Sequence, residues 1–218
     1  MILEMTPRSL AFLGTLLAAL PAGARDSGGL PREGIDLLRL IDVEKDAVAG
    51  TWAFEGKTLV SPSVQFGRLA VPYVVPEEYD LRIVAERRGA GNSLSVGLSR
   101  GGRQFLAIFD GVESEPRTGL DLVDGKPFYD NATTYRGGVT FSEVRPTTVV
   151  IAVRQKRVLV LVDGRTVVDW KADPARLSLW AGWFMHRQDT LFLGAWTSPQ
   201  RIRRMELFPV RGRGKPLR

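Results

Sequence analysis

The chain has 218 residues, of which 44% are hydrophobic and 25% are charged, with 23 Gly and 13 Pro. This balance is typical of a globular domain with many turns, and a chain of about 200 residues is long enough to bury one substantial core. The absence of Cys excludes disulfide scaffolds, thiolate nucleophiles and Cys-based zinc or iron–sulfur sites, and the single His, His186, excludes a His-rich metal site.

The formal net charge of +6 is concentrated at the C-terminal end. Residues 201–218 carry seven basic side chains against Glu206 alone, so the rest of the chain is neutral overall. A basic run can bind nucleic acid or an anionic surface. We favour a solvated basic tail over residues 211–218, and we predict no nucleic-acid partner because the N-terminal segment predicts export.

The N-terminal segment, residues 1–24, has the three parts of a secretory signal peptide. A basic residue ends a short polar region, SLAFLGTLLAAL over 9–20 is apolar, and small residues (AGA) precede a cleavage point. An apolar run of this length is too short for a membrane span, which needs about 20 residues. An uncleaved anchor is the alternative, since Glu4 lies in the polar region. We expect a secreted or periplasmic protein with no stable membrane span and a flexible leader over 25–34.

From residue 35 onward the pattern is that of β-strands. The first segment, 35–43, fits a strand or a short helix, and we favour a strand ending at Asp42. A hairpin is predicted across the turn Glu55-Gly56-Lys57, and further turns at 90–92 and 101–102. The other predicted strands are short and apolar at every second position: 68–71, 79–86, 93–99, 104–110, 177–185, 190–196 and 202–210.

The clearest strand pattern is the stretch 148–170, TVVIAVRQKRVLVLVDGRTVVDW. Valines and Ile repeat at every second position, and Gln155-Lys156 and Asp163-Gly164 supply two tight turns, so the stretch predicts a three-stranded meander. Leu159 and Leu161 make the second face of its middle strand apolar. We therefore predict that this strand is covered on both sides.

Many short strands separated by turns predict an all-β fold, an antiparallel jelly-roll β-sandwich with almost no helix. We expect one domain over residues 35–210. The longest irregular stretch is 111–138, with a small hairpin predicted at Asp124-Gly125.

Several phrases of the sequence resemble one superfamily. GTWAFEGKTL, RLAVPYVVPEEYDLRIVAERRGAGNSLSVGLS, IAVRQKRVLVLVDGRTVVDW and LFLGAW follow one another in the order found in the concanavalin A-like lectin/glucanase superfamily. The laminin-G-like and 3-keto-disaccharide hydrolase-type domains of exported bacterial proteins are the most similar versions. The resemblance covers residues 35–210, and it implies two curved sheets that take carbohydrate on a concave face or at rim loops.

The resemblance does not extend to the glucanase catalytic motif. Glucanases of this superfamily place two carboxylates on one strand as E-x-D-x-x-E, and this chain has no such string. The nearest acidic pairs are Glu78 with Asp80 and Glu113 with Glu115, and both fall in predicted turns or loops.

Sugar binding needs exposed aromatic faces for the C–H side of the ring and polar groups for the hydroxyls. The alternative for each candidate is structural, because a Trp in a sandwich is commonly core, as we expect for Trp52 and Trp170, and a lone His is commonly at the surface. The resemblance to laminin-G-like domains implies Ca²⁺ as a cofactor, since Ca²⁺ takes oxygen ligands from loops. The candidate ligand-binding residues are Trp180, His186, Tyr129, Asp130, Asn131 and Tyr135, and the candidate metal ligands are Asp110, Asp121 and Asp124.

The leading functional hypothesis is an exported, non-catalytic carbohydrate-binding or surface-interaction module whose partner is a carbohydrate or cell-surface glycan. The second hypothesis is a glycan-processing hydrolase or lyase of the 3-keto-disaccharide hydrolase type, in which His186 and a carboxylate act as general acid and base. The third is a structural envelope component. An enzyme needs His186 and carboxylates in one pocket, whereas a binding module needs aromatic residues along an open face.

Overall fold

The protein is built from short strands that pair with antiparallel neighbours. The computed structural model describes residues 34–88, 94–142 and 144–218. The predicted signal peptide, nearly all of the leader and the predicted turn at 90–92 lie outside these residues. Within them, the strands are β1 Ile35–Asp36, β2 Ala47–Ala49, β3 Ala53–Glu55, β4 Thr58–Val60, β5 Gly67–Val74, β6 Glu78–Arg87, β7 Ser95–Arg100, β8 Arg103–Ile108, β9 Gly119–Leu120, β10 Leu122–Val123, β11 Lys126–Pro127, β12 Thr147–Arg154, β13 Arg157–Val162, β14 Arg165–Trp170, β15 Leu177–Ser178, β16 Thr190–Ala195, β17 Gln200–Arg211 and β18 Lys215–Pro216.

Two large sheets form the layers of a sandwich. Sheet A has the order β14-β13-β12-β6-β17-β4-β3, with β1 also paired to β17. Sheet B has the order β18-β5-β16-β7-β8-β9, with β2 also paired to β5. A third, small sheet has the order β11-β10-β15. This arrangement confirms the predicted all-β antiparallel sandwich.

The main core lies between sheets A and B. On β6, Leu81, Ile83 and Ala85 are fully buried, as their alternation predicts. They belong to one apolar cluster with Leu69 and Val71 of β5 in sheet B. Because full burial of one Leu or Ile side chain contributes about 2 kcal/mol, this shared core stabilises the two sheets against each other.

The meander predicted over 148–170 is present as β12, β13 and β14. Its second turn is tight, with Asp163 at φ 48° and Gly164 at φ 79°, as the Asp-Gly pair predicts. The prediction that β13 is covered on both sides is wrong. Leu159 and Leu161 are only half-buried, because β13 is next to the edge strand of sheet A and no layer covers its outer face.

The first predicted strand is much shorter than expected. β1 ends at Asp36 and is followed by a 3₁₀-helix, Leu38–Leu40, and by α1, Val43–Asp46. The carboxylate of Asp42 accepts a hydrogen bond from the N–H of Glu44 and so caps α1, which makes this Asp a helix start and not a strand end. Among the described residues, no helix is long and apolar enough to cross a membrane.

The predicted solvated tail, 211–218, contains a paired strand. β18 pairs with β5, and the N–H of Leu217 donates to the carbonyl of Pro72 at 3.0 Å. The guanidinium of Arg218 forms an ion pair with the buried carboxylate of Asp46. These contacts are with partners far away in sequence, so the composition of the segment alone does not reveal them.

The strand predicted over 177–185 is also much shorter in the structure. Only β15, Leu177–Ser178, is extended in a sheet, and a 3₁₀-helix, Ala181–Trp183, follows it. The turn separates the two indoles of this segment: Trp183 is 3% exposed and Trp180 is 53% exposed. Trp180 thus reaches the surface through a turn and not through strand alternation.

Candidate binding site

The outer face of sheet B is lined by small residues along β7. Val96 and Leu98 point into the main core, so Ser95 and Gly97 lie on the opposite, outer face. The absent side chain of Gly97 leaves the space that the ring of Phe192 occupies, since a Cβ at Gly97 would lie 1.9 Å from that ring. A second apolar cluster can therefore pack closely on this face.

Four aromatic rings pack together over this face and are called the aromatic cluster: Phe66, Trp180, Trp183 and Trp196. The centroid of the Phe66 ring lies 5.2 Å, 5.1 Å and 4.6 Å from the centroids of the three indoles, in that order. Phe66 has φ 56°, a strained backbone for a bulky residue that costs about 1–3 kcal/mol. The absent side chain of Gly182 lets the ring approach, since a Cβ there would lie 2.4 Å from it.

A cavity of about 440 Å³ opens beside the aromatic cluster. Its size is that of a site for a small ligand. Trp180 and Tyr129 are 53% and 50% exposed, so a ligand can reach both from solvent. The walls are largely apolar, and the lining includes Phe128, Tyr129, Trp180, Trp183, Trp196 and two polar residues, Ser95 and Asp121.

Asp121 is the acidic residue of this cavity. It lies between β9 and β10, and one carboxylate oxygen accepts a hydrogen bond from the backbone N–H of Trp180 at 2.7 Å. Burial raises the pKa of Asp121 to about 6, and the Trp180 N–H opposes this rise only in part. The carboxyl group is therefore partly protonated near pH 6, unlike an ordinary surface Asp.

Replacing the carboxyl group of Asp121 should make the free energy of unfolding depend less on pH. The folded chain holds the Asp121 proton up to about pH 6, whereas the unfolded chain releases it near the ordinary Asp pKa of 3.8. The native state binds more protons in this window, so the group's contribution falls as the pH rises from about 4 to about 6, by about 3 kcal/mol in total. We expect Asp121→Asn to match the wild type near pH 4 and to be the more stable protein at neutral pH.

The measurement is the free energy of unfolding of both proteins by denaturant titration at several pH values. The difference between the two curves isolates Asp121, because all other titrating groups are shared. The side-chain oxygen of Asn can still accept the hydrogen bond from Trp180. A difference that does not change across this pH window would contradict the raised pKa.

Of the six residues predicted to bind sugar, Trp180 and Tyr129 line the cavity. His186 does not line it; its exposed ring packs edge-on against Phe184 at 5.8 Å. Asp130 is a solvent-exposed side chain 3.7 Å from Arg136. The role of these two lining residues in sugar binding stays a prediction, and their positions are compatible with it.

Asn131 and Tyr135 organise the irregular stretch. The side-chain amide of Asn131 donates to the carbonyls of Leu120 and Lys126 at 2.9 Å and 3.1 Å, and its Oδ1 accepts from the N–H of Thr133 at 2.8 Å. Tyr135 exchanges backbone hydrogen bonds with Thr118, and its ring lies under the guanidinium of Arg165. Both side chains have structural partners, and neither lines the cavity.

The three aspartates predicted to bind Ca²⁺ have separate roles. Asp110 is buried, with 2% of its surface exposed. Its carboxylate accepts hydrogen bonds from Thr140 and Phe141. Asp124 occupies the β10–β11 turn at φ 52° and pairs with Arg176, whose guanidinium lowers the pKa of Asp124 below its ordinary value. In the ranges 34–88, 94–142 and 144–218, no three His, Cys, Asp or Glu residues form a group that could hold a metal ion.

Several cavity residues have no sequence signal of their own. Phe128, Trp183 and Trp196 come from segments that are distant in sequence, and their patterns are those of ordinary buried residues. The sequence position of Asp121 suggests only a metal ligand. The hydrogen bond between its carboxylate and the Trp180 backbone, 59 residues away, joins the two segments together with the pairing of β10 and β15.

Comparison with known proteins identifies the fold. No protein-family model and no curated protein matches the chain. The carbohydrate-binding module CBM66 from Bacillus subtilis has a TM-score of 0.52 and 12% identity, covering 75% of this chain and 94% of that chain. The VIP36 exoplasmic/lumenal domain, in a Ca²⁺/Man-bound form, has a TM-score of 0.53 and 10% identity, covering 74% of this chain and 81% of that chain.

An apo Crh5 transglycosylase has a TM-score of 0.52 and 12% identity, covering 83% of this chain and 85% of that chain. These structures are concanavalin A-like lectin/glucanase-fold proteins. The chain therefore has the concanavalin A-like fold, as its resemblance to that superfamily predicts. Because the identities are low, the likeness establishes the fold alone.

Proposed function

We propose that the protein is an extracytoplasmic, non-catalytic carbohydrate-binding module that binds its glycan at the cavity beside the aromatic cluster. The observation that carries the proposal is the pair of half-exposed aromatic side chains, Trp180 and Tyr129, that line this cavity. Sugar rings pack their C–H faces on such rings. The fold likeness to a carbohydrate-binding module and to a Man-bound lumenal domain supports the proposal.

The position of the cavity adds support. It lies on the outer face of sheet B, where the packing of Phe192 against Gly97 leaves an apolar surface, and two irregular segments of the chain wall it. An extracytoplasmic location is consistent with the signal peptide predicted over residues 1–24. A glycan of the cell surface or its surroundings is the partner that fits this location.

A glycan-processing enzyme is the weaker candidate. The feature that favours it is Asp121, whose raised pKa suits a general acid. Hydrolysis of a glycosidic bond needs a second group, commonly another carboxylate. Among the described residues that line the cavity, Asp121 is the only carboxylic acid, and His186 is not part of the lining. The aromatic walls therefore favour binding over catalysis.

Trp180→Ala should weaken sugar binding by about five- to ten-fold, because it removes one stacking face worth about 1–1.5 kcal/mol. Its backbone N–H is retained, so the hydrogen bond to Asp121 persists. The side chain is 53% exposed, so we expect little loss of stability. The measurement is ligand-observed proton NMR of the full-length chain with glucans, plain disaccharides and 3-keto-disaccharides.

The matched control is Phe54→Ala. Phe54 is an aromatic residue on β3, is 37% exposed and does not line the cavity, so its removal should leave sugar binding unchanged. Equal effects of the two substitutions would rule out the cavity as the site. New anomeric signals that grow with time would show product formation. They would contradict the proposal of a binding module and support that of an enzyme.

A further inference from the structure

The interior of the cavity is poorly matched to a ring that carries hydroxyl groups on every side. Apart from the half-exposed Tyr129 and the indole N–H groups, the lining offers Ser95 and Asp121 as polar side chains among aromatic and aliphatic groups. A buried hydroxyl group without a hydrogen-bond partner is unfavourable. A sugar ring therefore fits the exposed aromatic faces, and the interior fits one of its substituents.

The negative charge of Asp121 inside the cavity determines which substituent binds there. Asp121 is 5% exposed, and no basic side chain is among the described residues that line the cavity. Within the described residues, the Asp121 carboxylate accepts one hydrogen bond, from the Trp180 N–H. A carboxylate in apolar surroundings without a counter-charge is unfavourable, so an entering cation gains attraction there that it would not have in water.

The aromatic walls favour the same class of ligand. The faces of Trp and Tyr rings attract an ammonium group within about 6 Å of the ring centroid, and Trp does so best. Three tryptophans and a tyrosine line this cavity: Trp180, Trp183, Trp196 and Tyr129. Apolar ring faces around a single carboxylate match an organic cation, in which carbon substituents surround the charged nitrogen.

We propose that the cavity binds an organic ammonium group, with Asp121 as its counter-charge and the indoles as its walls. An amine substituent on a glycan supplies this group, and in that form the inference rests on the proposed carbohydrate function. A free quaternary ammonium compound presents the same chemistry without a sugar. The experiment separates these two sources.

The first arm compares sugars that differ in charge. The full-length chain is titrated near pH 7 with the methyl glycosides of glucosamine, N-acetylglucosamine and glucose, at matched ionic strength, and tryptophan fluorescence and ligand NMR report binding. We expect the glucosamine glycoside to bind about ten-fold more tightly than the other two, since cation–π attraction and the attraction to the carboxylate both act on its ammonium group. Equal or weaker binding of the amine would overturn the inference.

The second arm removes the counter-charge. Asp121→Asn keeps the side-chain shape and the acceptor for the Trp180 N–H, so we expect the preference for the amine over the neutral glycosides to disappear. A preference that survives in Asp121→Asn would contradict the assigned role of the carboxylate. If the variant does not fold, the selectivity of the wild-type protein still decides the question.

The third arm uses tetramethylammonium chloride, which carries its charge at every pH. Asp121 loses its proton as the pH rises through about 6, so affinity should increase several-fold between about pH 5 and pH 8. Tyr129 is the other titratable lining residue, and His186→Gln removes the single histidine as a source of the effect. Charged groups on adjacent segments, outside the lining, include Arg68, Asp110, Glu113, Arg117, Asp124, Lys126, Asp130, Arg176, Arg187 and Asp189.

The outcomes separate the two proposals. Tetramethylammonium binding that depends on Asp121, with no binding of any sugar, would support the ammonium site and contradict the carbohydrate function. Equal binding of neutral and amino sugars that depends on Trp180 would support the carbohydrate function and overturn the ammonium site. An affinity for tetramethylammonium that does not change with pH would also overturn it.

Discussion

Asp110→Ala is expected to lower the free energy of unfolding by about 3–5 kcal/mol. The buried Asp110 carboxylate accepts hydrogen bonds from the N–H and the hydroxyl of Thr140 at 2.6 Å and 2.7 Å, and from the N–H of Phe141 at 2.9 Å. Alanine leaves these donors buried and unpaired. Residue 110 also has φ 50°, a conformation that Ala adopts at a further cost of about 1 kcal/mol. Denaturant titration followed by circular dichroism measures the loss.

Asp130→Ala is the matched control, since it removes the same side chain from a nearby position. The side chain of Asp130 is 81% exposed and lies 3.7 Å from Arg136, so its removal should change stability by less than about 0.5 kcal/mol. Similar losses for the two variants would show that the Asp110 network does not hold the segment at 140–141 against β8.

Gly97→Ala is the second substitution expected to have a large effect. The new Cβ would lie 1.9 Å from the Phe192 ring in the middle of sheet B, so the ring or the strand must move. Overpacking of this kind lowers the free energy of unfolding by about 3 kcal/mol. Because Phe192 belongs to the apolar cluster beneath Trp183, a shift of its ring should also weaken ligand binding at the cavity.

Gly56→Ala separates overpacking from backbone strain. Gly56 lies in the β3–β4 turn at φ 61°, and a Cβ there would have no atom within 4 Å, so only the backbone penalty of about 1 kcal/mol applies. The two variants are compared by thermal and denaturant unfolding. A loss at Gly97 no larger than that at Gly56 would mean that sheet B accommodates the added methyl group without moving Phe192.

Much of the fold was predictable because its signals are local. The meander over 148–170 and the hairpin at Gly56 depend on residues that are adjacent or paired across a tight turn, and the structure contains both. The burial of Leu81, Ile83 and Ala85 follows from alternation alone. The segment at 177–185 was not predictable in this way, since its alternation also suits a strand.

The segment at 177–185 instead makes long-range contacts, the pairing of β15 with β10 and the Asp121–Trp180 hydrogen bond. The same reason limits prediction of the candidate site. Trp180 and Tyr129 were identified as aromatic residues suited to sugar, but the cavity they share with Trp196 exists only after three distant segments meet. Asp121 was placed among metal ligands because sequence spacing does not show which aspartate is buried among aromatic residues.

Two short strands, β2 and β18, pair with the same edge of β5, and this arrangement affects self-association. β2 pairs with β5 at Arg68 and Leu69, and β18 pairs with it at Tyr73 and Val74, so both ends of the free edge of this eight-residue strand are occupied. β18 itself ends at Pro216, which has no N–H to donate to another strand. Within the part of the chain that the structure describes, a second molecule therefore finds no long run of unpaired backbone on this edge of β5, which opposes edge-to-edge aggregation in concentrated solution.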